Sequence, residues 1–227
     1  MDRCGTRTVD RLAALGALVC SAACAKQQPQ GPPAAAVAIV YSGEDLWIGN
    51  SENQKLPLGT PRTTGVLNAM KAALDKADLA HTAPPGSLGM AVSFADRPIV
   101  RVPMGPIANL TGGALGTQAD YDGNLGQDLV RALGVALTEL EHTPSGYKLL
   151  LVVSEGTDTA PEAARVELPK LKQRAAAHGI DVRSMIYKAE LDPPKTDVIQ
   201  WFSDSHRETS AEGLRVDLEI TLGRLGP

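Results

Sequence analysis

Short aliphatic runs of strand length alternate with longer stretches of helical periodicity from Ala36 onward, and this alternation restricts the fold more than any other feature. Five runs are predicted to be strands, at residues 36–41, 88–95, 98–104, 147–154 and 181–188. Strands separated by helices along a chain usually form a parallel sheet with right-handed crossovers and helices on both faces. We therefore expect an α/β protein with a mostly parallel sheet of about six strands.

Two of these strands are separated by a turn and not by a helix. The turn at residues 95–98 predicts an antiparallel hairpin, whose second strand, 98–104, lies at a sheet edge because Pro98 and Pro103 are tolerated there. Residues 147–154, in contrast, are almost uniformly aliphatic. That composition predicts a central strand that is buried on both faces.

Apolar residues at intervals of three and four predict helices over residues 66–77 and 125–140. A third helix is predicted to begin at Pro161, a residue suited to the first helical position, and to end before Gly179. Pro169 lies inside this third segment, and we expect it to kink or interrupt the helix.

The segment 214–222 fits two secondary structures. Its apolar residues occupy every second position, as in a strand, but its leucines recur every four residues, as in a helix. Thr209 and Glu212 stand at the spacing of a helix capping box, which favours the helix.

The first 25 residues are predicted to be a secretory signal and not part of the folded domain. Arg3, Arg7 and Arg11 precede the apolar run 12–20, and the small residues "SAACA" follow it, which is the order of charge, apolar run and small residues in signal peptides. The run is too short to span a bilayer permanently. The chain is therefore divided into a signal at 1–25, a Pro/Gln/Ala-rich tether at 26–35 and one domain at 36–227.

All three cysteines, Cys4, Cys20 and Cys24, lie inside the predicted signal. The folded domain therefore has neither a disulfide nor a cysteine metal site. The segment "SAAC" ending at Cys24 resembles the lipobox of bacterial lipoproteins, in which the cysteine is lipidated and becomes the first residue. Ser21 departs from that pattern, and cleavage by ordinary signal peptidase after Ala25 is the alternative.

The net charge argues against nucleic acid as a partner. The whole chain has a formal net charge of -4, and removal of residues 1–24, with three Arg and two Asp, makes the remainder more negative by one. A protein that binds nucleic acid through its surface needs a basic patch, which this balance does not favour.

The order of several motifs resembles that of a von Willebrand factor type A domain. The matching segments are "VSFADRPIVRVPMGPI" at 92–107, "DYDGNLGQDLVRALGVAL" at 120–137, "KLLLVVSEGTDT" at 148–159 and "HGIDVRSMIY" at 178–187. The resemblance covers residues 37–225. It implies a Rossmann-like, three-layer α/β/α sandwich with one antiparallel edge strand.

The resemblance also implies where a metal site would lie and indicates that this site is degenerate. Domains of the family hold Mg²⁺ or Mn²⁺ in a metal-ion-dependent adhesion site built from a D-x-S-x-S motif, a Thr and an Asp, oxygen ligands that suit a hard cation. The corresponding positions in this chain are Tyr41, Gly43, Asp45, Gly123 and Glu155. Because the leading carboxylate is missing, we expect no bound metal and no other cofactor. A rearranged acidic site formed by Asp45, Asp122 and Glu155 is the alternative.

The same edge of the predicted sheet carries the candidate partner-binding residues, which are Glu44, Asp45, Trp47, Asp122 and Glu155. Trp47 begins a long polar segment that either contacts a partner or folds back over the first helix. The resemblance implies a protein-binding module of adhesion or scaffold type, and the predicted signal at residues 1–25 places it in the cell envelope. A purely structural envelope scaffold is a further possibility.

An enzyme is the alternative from another functional class. It would use a flavodoxin-like or hydrolase-like sheet, with the carboxylates of Asp45 and Glu155 as acid and base. The segment around Glu155 lacks the Gly-x-Ser-x-Gly nucleophile elbow, and the glycine-rich segment 109–118 lacks the spacing of a phosphate-binding loop. We therefore expect no catalytic residues.

Overall fold

A computed structural model of the chain describes residues 34–42, 64–116, 128–154, 156, 158–187, 198–209 and 211–225. These residues form one sheet of six strands in the order β3-β2-β1-β4-β5-β6. The strands are β1 (Ala35–Ser42), β2 (Leu88–Phe94), β3 (Pro98–Pro106), β4 (Tyr147–Ser154), β5 (Ile180–Tyr187) and β6 (His206–Thr209). Neighbouring strands are parallel except for β2 and β3, which are antiparallel.

Five helices connect or follow the strands. They are α1 (Thr64–Ala77), the short α2 (Leu79–Thr82), α3 (Leu129–His142), α4 (Pro161–Ala177) and α5 (Ala211–Leu222). The described ranges also contain 3₁₀ turns at Ile107–Asn109, Gly112–Leu115 and Ile199–Trp201. None of the helices in the described ranges is long and apolar enough to cross a membrane.

The sheet lies between two apolar layers because successive side chains of a strand point to opposite faces. In β1, Val37, Ile39 and Tyr41 pack in the layer that contains α1 and α5. The alternate residues Ala36, Ala38 and Val40 pack in the layer that contains α3 and α4. The predicted α/β architecture, with helices on both faces of a mostly parallel sheet, is confirmed.

The predictions for individual strands also agree with the structure. β3 is the antiparallel edge strand that the prolines indicated, and β4 lies inside the sheet, between β1 and β5. The segment 214–222 belongs to helix α5, as its capping-box spacing favoured. The sixth strand, β6, was not among the five predicted runs because it is only four residues long and has the polar sequence "HRET".

Helix α4 continues through Pro169, so the helix is not interrupted there, and a kink at this residue stays a prediction. The buried residues Leu168 and Leu171, on either side of the proline, anchor both halves of the helix in the core. On the outer surface, Arg174 of α4 donates to Glu141 of α3 through Nε at 3.0 Å and Nη2 at 2.8 Å. These hydrogen bonds hold the pKa of Glu141 below its usual value and link the two helices.

Candidate functional site

The carboxyl ends of the five parallel strands meet at one edge of the sheet, where open α/β folds usually bind ligands. At this edge Ser42 of β1 pairs with Phe94 of β2, and Tyr187 of β5 pairs with Thr209 of β6. Tyr41, one residue before the end of β1, pairs with Ser93 of β2 and Val153 of β4. Tyr41, the position predicted to correspond to the leading metal ligand, is therefore central in the sheet.

Tyr41 is directed into the protein core. Its side chain is only 2% exposed, and its hydroxyl donates a hydrogen bond of 2.9 Å to the carbonyl oxygen of Leu115. Leu115 belongs to the 3₁₀ turn Gly112–Leu115. The phenol thus connects the central strand to this turn, in the layer of α1 and α5.

The 3₁₀ turn Gly112–Leu115 packs closely against α1, and a hydrogen bond from its backbone holds it there. The amide of Gly112 donates to Asp75 Oδ1 at 2.9 Å. A Cβ atom at position 112 would lie 2.5 Å from the carbonyl oxygen of Lys71 and 2.8 Å from both carboxylate oxygens of Asp75. Only glycine fits there without a shift of the backbone. Within the glycine-rich segment, Gly112 therefore serves close packing against α1.

A carboxylate also holds the amino terminus of α3 at this edge. Asp158 Oδ2 accepts hydrogen bonds from the amides of Leu129 at 3.0 Å and Val130 at 3.3 Å, and Asp158 Oδ1 accepts from Ala160 at 2.8 Å. Negative charge is favourable at a helix amino terminus, where backbone amides lack partners within the helix. Asp158 thereby joins the segment after β4 to α3.

Asp128 anchors the same helix from its own side. Its Oδ1 accepts from the amide of Arg131 at 3.1 Å, and its amide donates to the carbonyl oxygen of Ala95 at 2.7 Å, just beyond β2. Both described carboxylates near the start of α3 are thus engaged with backbone amides. The two carboxylates therefore hold the start of α3 in place at this edge of the sheet, and each already accepts hydrogen bonds from the backbone.

Two serine hydroxyls lie at the ends of central strands. Ser154 Oγ, at the end of β4, accepts from the amide of Gly156 at 2.9 Å, and Gly156 has a left-handed φ of 78° that suits glycine. Ser42 Oγ, at the end of β1, is buried and has no hydrogen-bond partner among the described residues.

The structure describes one of the predicted site positions, Tyr41. The others lie outside the described residues: Cys24, Gly43, Glu44, Asp45, Trp47, Asp122, Gly123 and Glu155. Within the described ranges, no group of three or more His, Cys, Asp or Glu side chains is arranged to hold a metal ion. The metal site and the partner-binding surface therefore remain predictions.

Sequence reasoning missed Gly112, Asp128 and Asp158. The signal for Asp128 was local, since an Asp directly before an amphipathic helix is a common N-cap. Asp158 stands two residues before Ala160, the spacing of an Asx turn, but its bonds to α3 join residues that are distant in the sequence. Gly112 contacts Asp75 across a similar separation, which no local pattern reveals.

No protein-family model matches the sequence, and a search of curated proteins finds no match either. The fold, in contrast, has clear counterparts among solved structures. Proximal thread matrix protein 1 from the mussel byssus superimposes with a TM-score of 0.56 at 16% identity, over 85% of this chain and 46% of that protein. The chain therefore spans about half of the mussel protein's length.

Two bacterial proteins superimpose equally well. The vWF domain of the type V pili tip protein Mfa5 from Porphyromonas gingivalis has a TM-score of 0.57 at 9% identity, over 85% of this chain and 95% of that domain. The pilus adhesin SpaC from Lactobacillus rhamnosus GG has a TM-score of 0.60 at 12% identity, over 86% of this chain and 30% of that protein. The strand order, the antiparallel edge and these superpositions agree: the chain has the fold of von Willebrand factor type A domains.

Proposed function

We propose that this chain is an exported, membrane-anchored protein-binding module of adhesion or scaffold type, and that it binds its partner without a cation. The observation that carries the proposal is Tyr41. In a fold of this class the end of β1 supplies the leading metal ligand, and here that position holds a phenol that is 2% exposed and bonded to the Leu115 carbonyl.

The binding role is supported by the proteins that share the fold. They include a pilus tip protein, a pilus adhesin and a byssal matrix protein, which are adhesive or structural proteins. Because the identities are below 20%, the proposed role depends on the fold together with the residues at its carboxyl edge.

Cation independence is supported by the chemistry of the side chains at the corresponding positions. A second structure of the mussel protein has a zinc-occupied adhesion motif. In this chain Tyr41 stands where the leading carboxylate would be, and Gly43 and Gly123 stand where hydroxyl ligands would be. A hard cation needs several oxygen ligands, at least one of them charged, and these replacements remove three.

Melting of the mature chain tests cation independence. A ligand that binds only the native state raises the melting temperature by mass action. We expect the melting temperature in excess EDTA to change by less than about 1 °C on addition of millimolar Mg²⁺, Mn²⁺ or Ca²⁺. A rise of several degrees that disappears in Asp45→Ala or Glu155→Ala would overturn the proposal and establish a rearranged acidic site.

Capture of an envelope protein that is lost in Trp47→Ala, at unchanged melting temperature, would identify the contact surface.

Membrane anchoring is supported by the order of the amino-terminal segments, in which Cys24 ends a run of small residues and precedes the tether at 26–35. Mass spectrometry of the mature protein is expected to find a lipidated Cys24 as the first residue, in the membrane fraction. An unmodified amino terminus at Lys26 in soluble periplasmic material would contradict anchoring, and it would leave the protein-binding role to be judged by the melting and capture experiments.

A further inference from the structure

A pocket of about 220 Å³, lined by charged and apolar residues, lies on the α5 side of the sheet. Arg183 and Met185 of β5, Arg207 of β6, and Asp217 and Ile220 of α5 contribute to its walls. β6 pairs with β5 only from Ser184 onward, so the pocket lies beside the start of this short edge strand. None of these residues takes part in the proposed protein-binding edge.

Asp217 lines this pocket, and one of its two carboxylate oxygens lacks a hydrogen-bond donor among the described residues. The side chain is 9% exposed, and its Oδ1 accepts a hydrogen bond of 2.6 Å from Arg207 Nη1. Its Oδ2 is buried and has no hydrogen-bond partner in the part of the chain that the structure describes. A buried carboxylate oxygen without a donor lowers stability, so a donor supplied by a ligand would be strongly favoured.

The other charges of the pocket limit which donor can bind. Arg183 donates to Asp181 Oδ2 through Nε at 3.1 Å and Nη2 at 2.8 Å, and the Tyr147 hydroxyl donates to the same oxygen at 2.9 Å. Burial and this carboxylate raise the pKa of Tyr147, so the phenol stays protonated as a donor. Arg183 is thereby fixed beside the pocket, with its charge balanced by Asp181.

The two guanidinium groups and two carboxylates balance one another, so the pocket has almost no net charge. A metal ion or a simple cation would be repelled by Arg183 and Arg207, and a simple anion would be repelled by Asp217. A ligand with one positive and one negative group can pair with both residues. Its cationic group donates to Asp217, and its anionic group accepts from Arg207. Arginine has five N–H donors, so one can stay on Asp217 while others bind the ligand.

The volume of the pocket and the apolar side chains that line it restrict the ligand further. The volume suits one molecule of amino-acid size, and Met185 and Ile220 provide aliphatic contacts beside the charges. Ile220 is 48% exposed, so its side chain has apolar surface left for a ligand to cover. Because Asp217 Oδ2 is buried, a ligand must displace side chains at the pocket mouth to reach it, and the 71%-exposed Arg207 can shift while one of its N–H groups stays on Asp217 Oδ1.

We propose that this pocket binds a free α-amino acid with an aliphatic side chain. The ammonium group donates to Asp217 Oδ2, the carboxylate accepts from Arg207, and the side chain packs on Met185 and Ile220. This site is separate from the protein-binding edge, so either proposal can fail without the other.

Calorimetric titration of the full mature protein with L-leucine, L-methionine and L-valine tests the proposal. We expect saturable binding of at least one of them, weakened at least about tenfold in Asp217→Asn and in Arg207→Met. Glu219→Gln is the matched control, because Glu219 lies on the same helix but bonds to Lys76 and Arg215 outside the pocket. If either variant fails to fold, the binding of modified ligands to the unmodified protein decides.

Modified ligands distinguish the two ionic contacts. N-acetyl-L-leucine lacks the cation and L-leucine amide lacks the carboxylate, and each is expected to bind at least about tenfold more weakly than L-leucine. If N-acetyl-L-leucine binds as tightly as L-leucine, the proposal of a zwitterionic ligand is wrong, and the pocket instead recognises a peptide carboxyl terminus. Absence of saturable binding for all three amino acids below about 10 mM would overturn the site altogether.

Discussion

Replacement of Gly112 by alanine is expected to lower the free energy of unfolding by about 3 kcal/mol. The added Cβ would lie 2.5 Å from the Lys71 carbonyl oxygen, a backbone atom that cannot rotate away. To relieve the clash, the turn must move off α1 and lose the hydrogen bond from Gly112 to Asp75. That movement would also displace the Leu115 carbonyl from the Tyr41 hydroxyl. Urea denaturation measures the change directly.

Gly113 provides the matched control in the same turn. A Cβ at position 113 would find its nearest neighbour, Thr111 Oγ1, at 4.0 Å, and its φ is not positive. Gly113→Ala is therefore expected to change the unfolding free energy by no more than about 0.5 kcal/mol. Equal stabilities for the two variants would show that the turn does not depend on its close approach to α1.

Replacement of Tyr41 by aspartate is expected to cost about 4 kcal/mol, the magnitude found when a large buried aromatic side chain is removed. The variant restores the carboxylate of the family's motif, but it leaves a cavity in the layer of α1 and α5 and buries a charge there. Tyr41→Phe, which keeps the ring and removes only the hydroxyl, is expected to cost about 1 kcal/mol. Thermal melting compares both variants with the unmodified chain.

Addition of Mg²⁺ or Mn²⁺ to the Tyr41→Asp variant tests which of the predicted replacements would prevent a metal from binding. We expect no rise in melting temperature, because Gly43 and Gly123 would still lack the hydroxyl ligands. A rise of several degrees would show that Tyr41 alone prevents coordination and that the remaining ligands are in place.

The sequence was sufficient to predict those elements whose signal is local and apolar. β1 and β4 are continuous aliphatic runs because both of their faces are covered, and β4 is central for the same reason. The edge position of β3 followed from its prolines, which cannot donate to a neighbouring strand. Helix α5 was ambiguous by periodicity, and only its capping-box spacing favoured the correct assignment.

Elements and contacts that depend on tertiary structure could not be predicted in the same way. β6 is short and polar, and it is a strand because β5 offers it a partner from Ser184 to Tyr187. Asp158 caps a helix that begins 29 residues earlier in the chain, and Gly112 meets a side chain of α1 that is 37 residues away. Such contacts form only after the sheet has brought these segments together, so composition and periodicity do not contain them.

The edge strand β3 has a consequence for self-association. It contains Pro98, Pro103 and Pro106, and its pairing with β2 is irregular around Ala91. Proline supplies no amide hydrogen, and irregular pairing twists an edge away from a flat template. Another chain that approached this side would therefore find few donors in register. The β3 border of the sheet is therefore a poor template for edge-to-edge polymerisation of this domain.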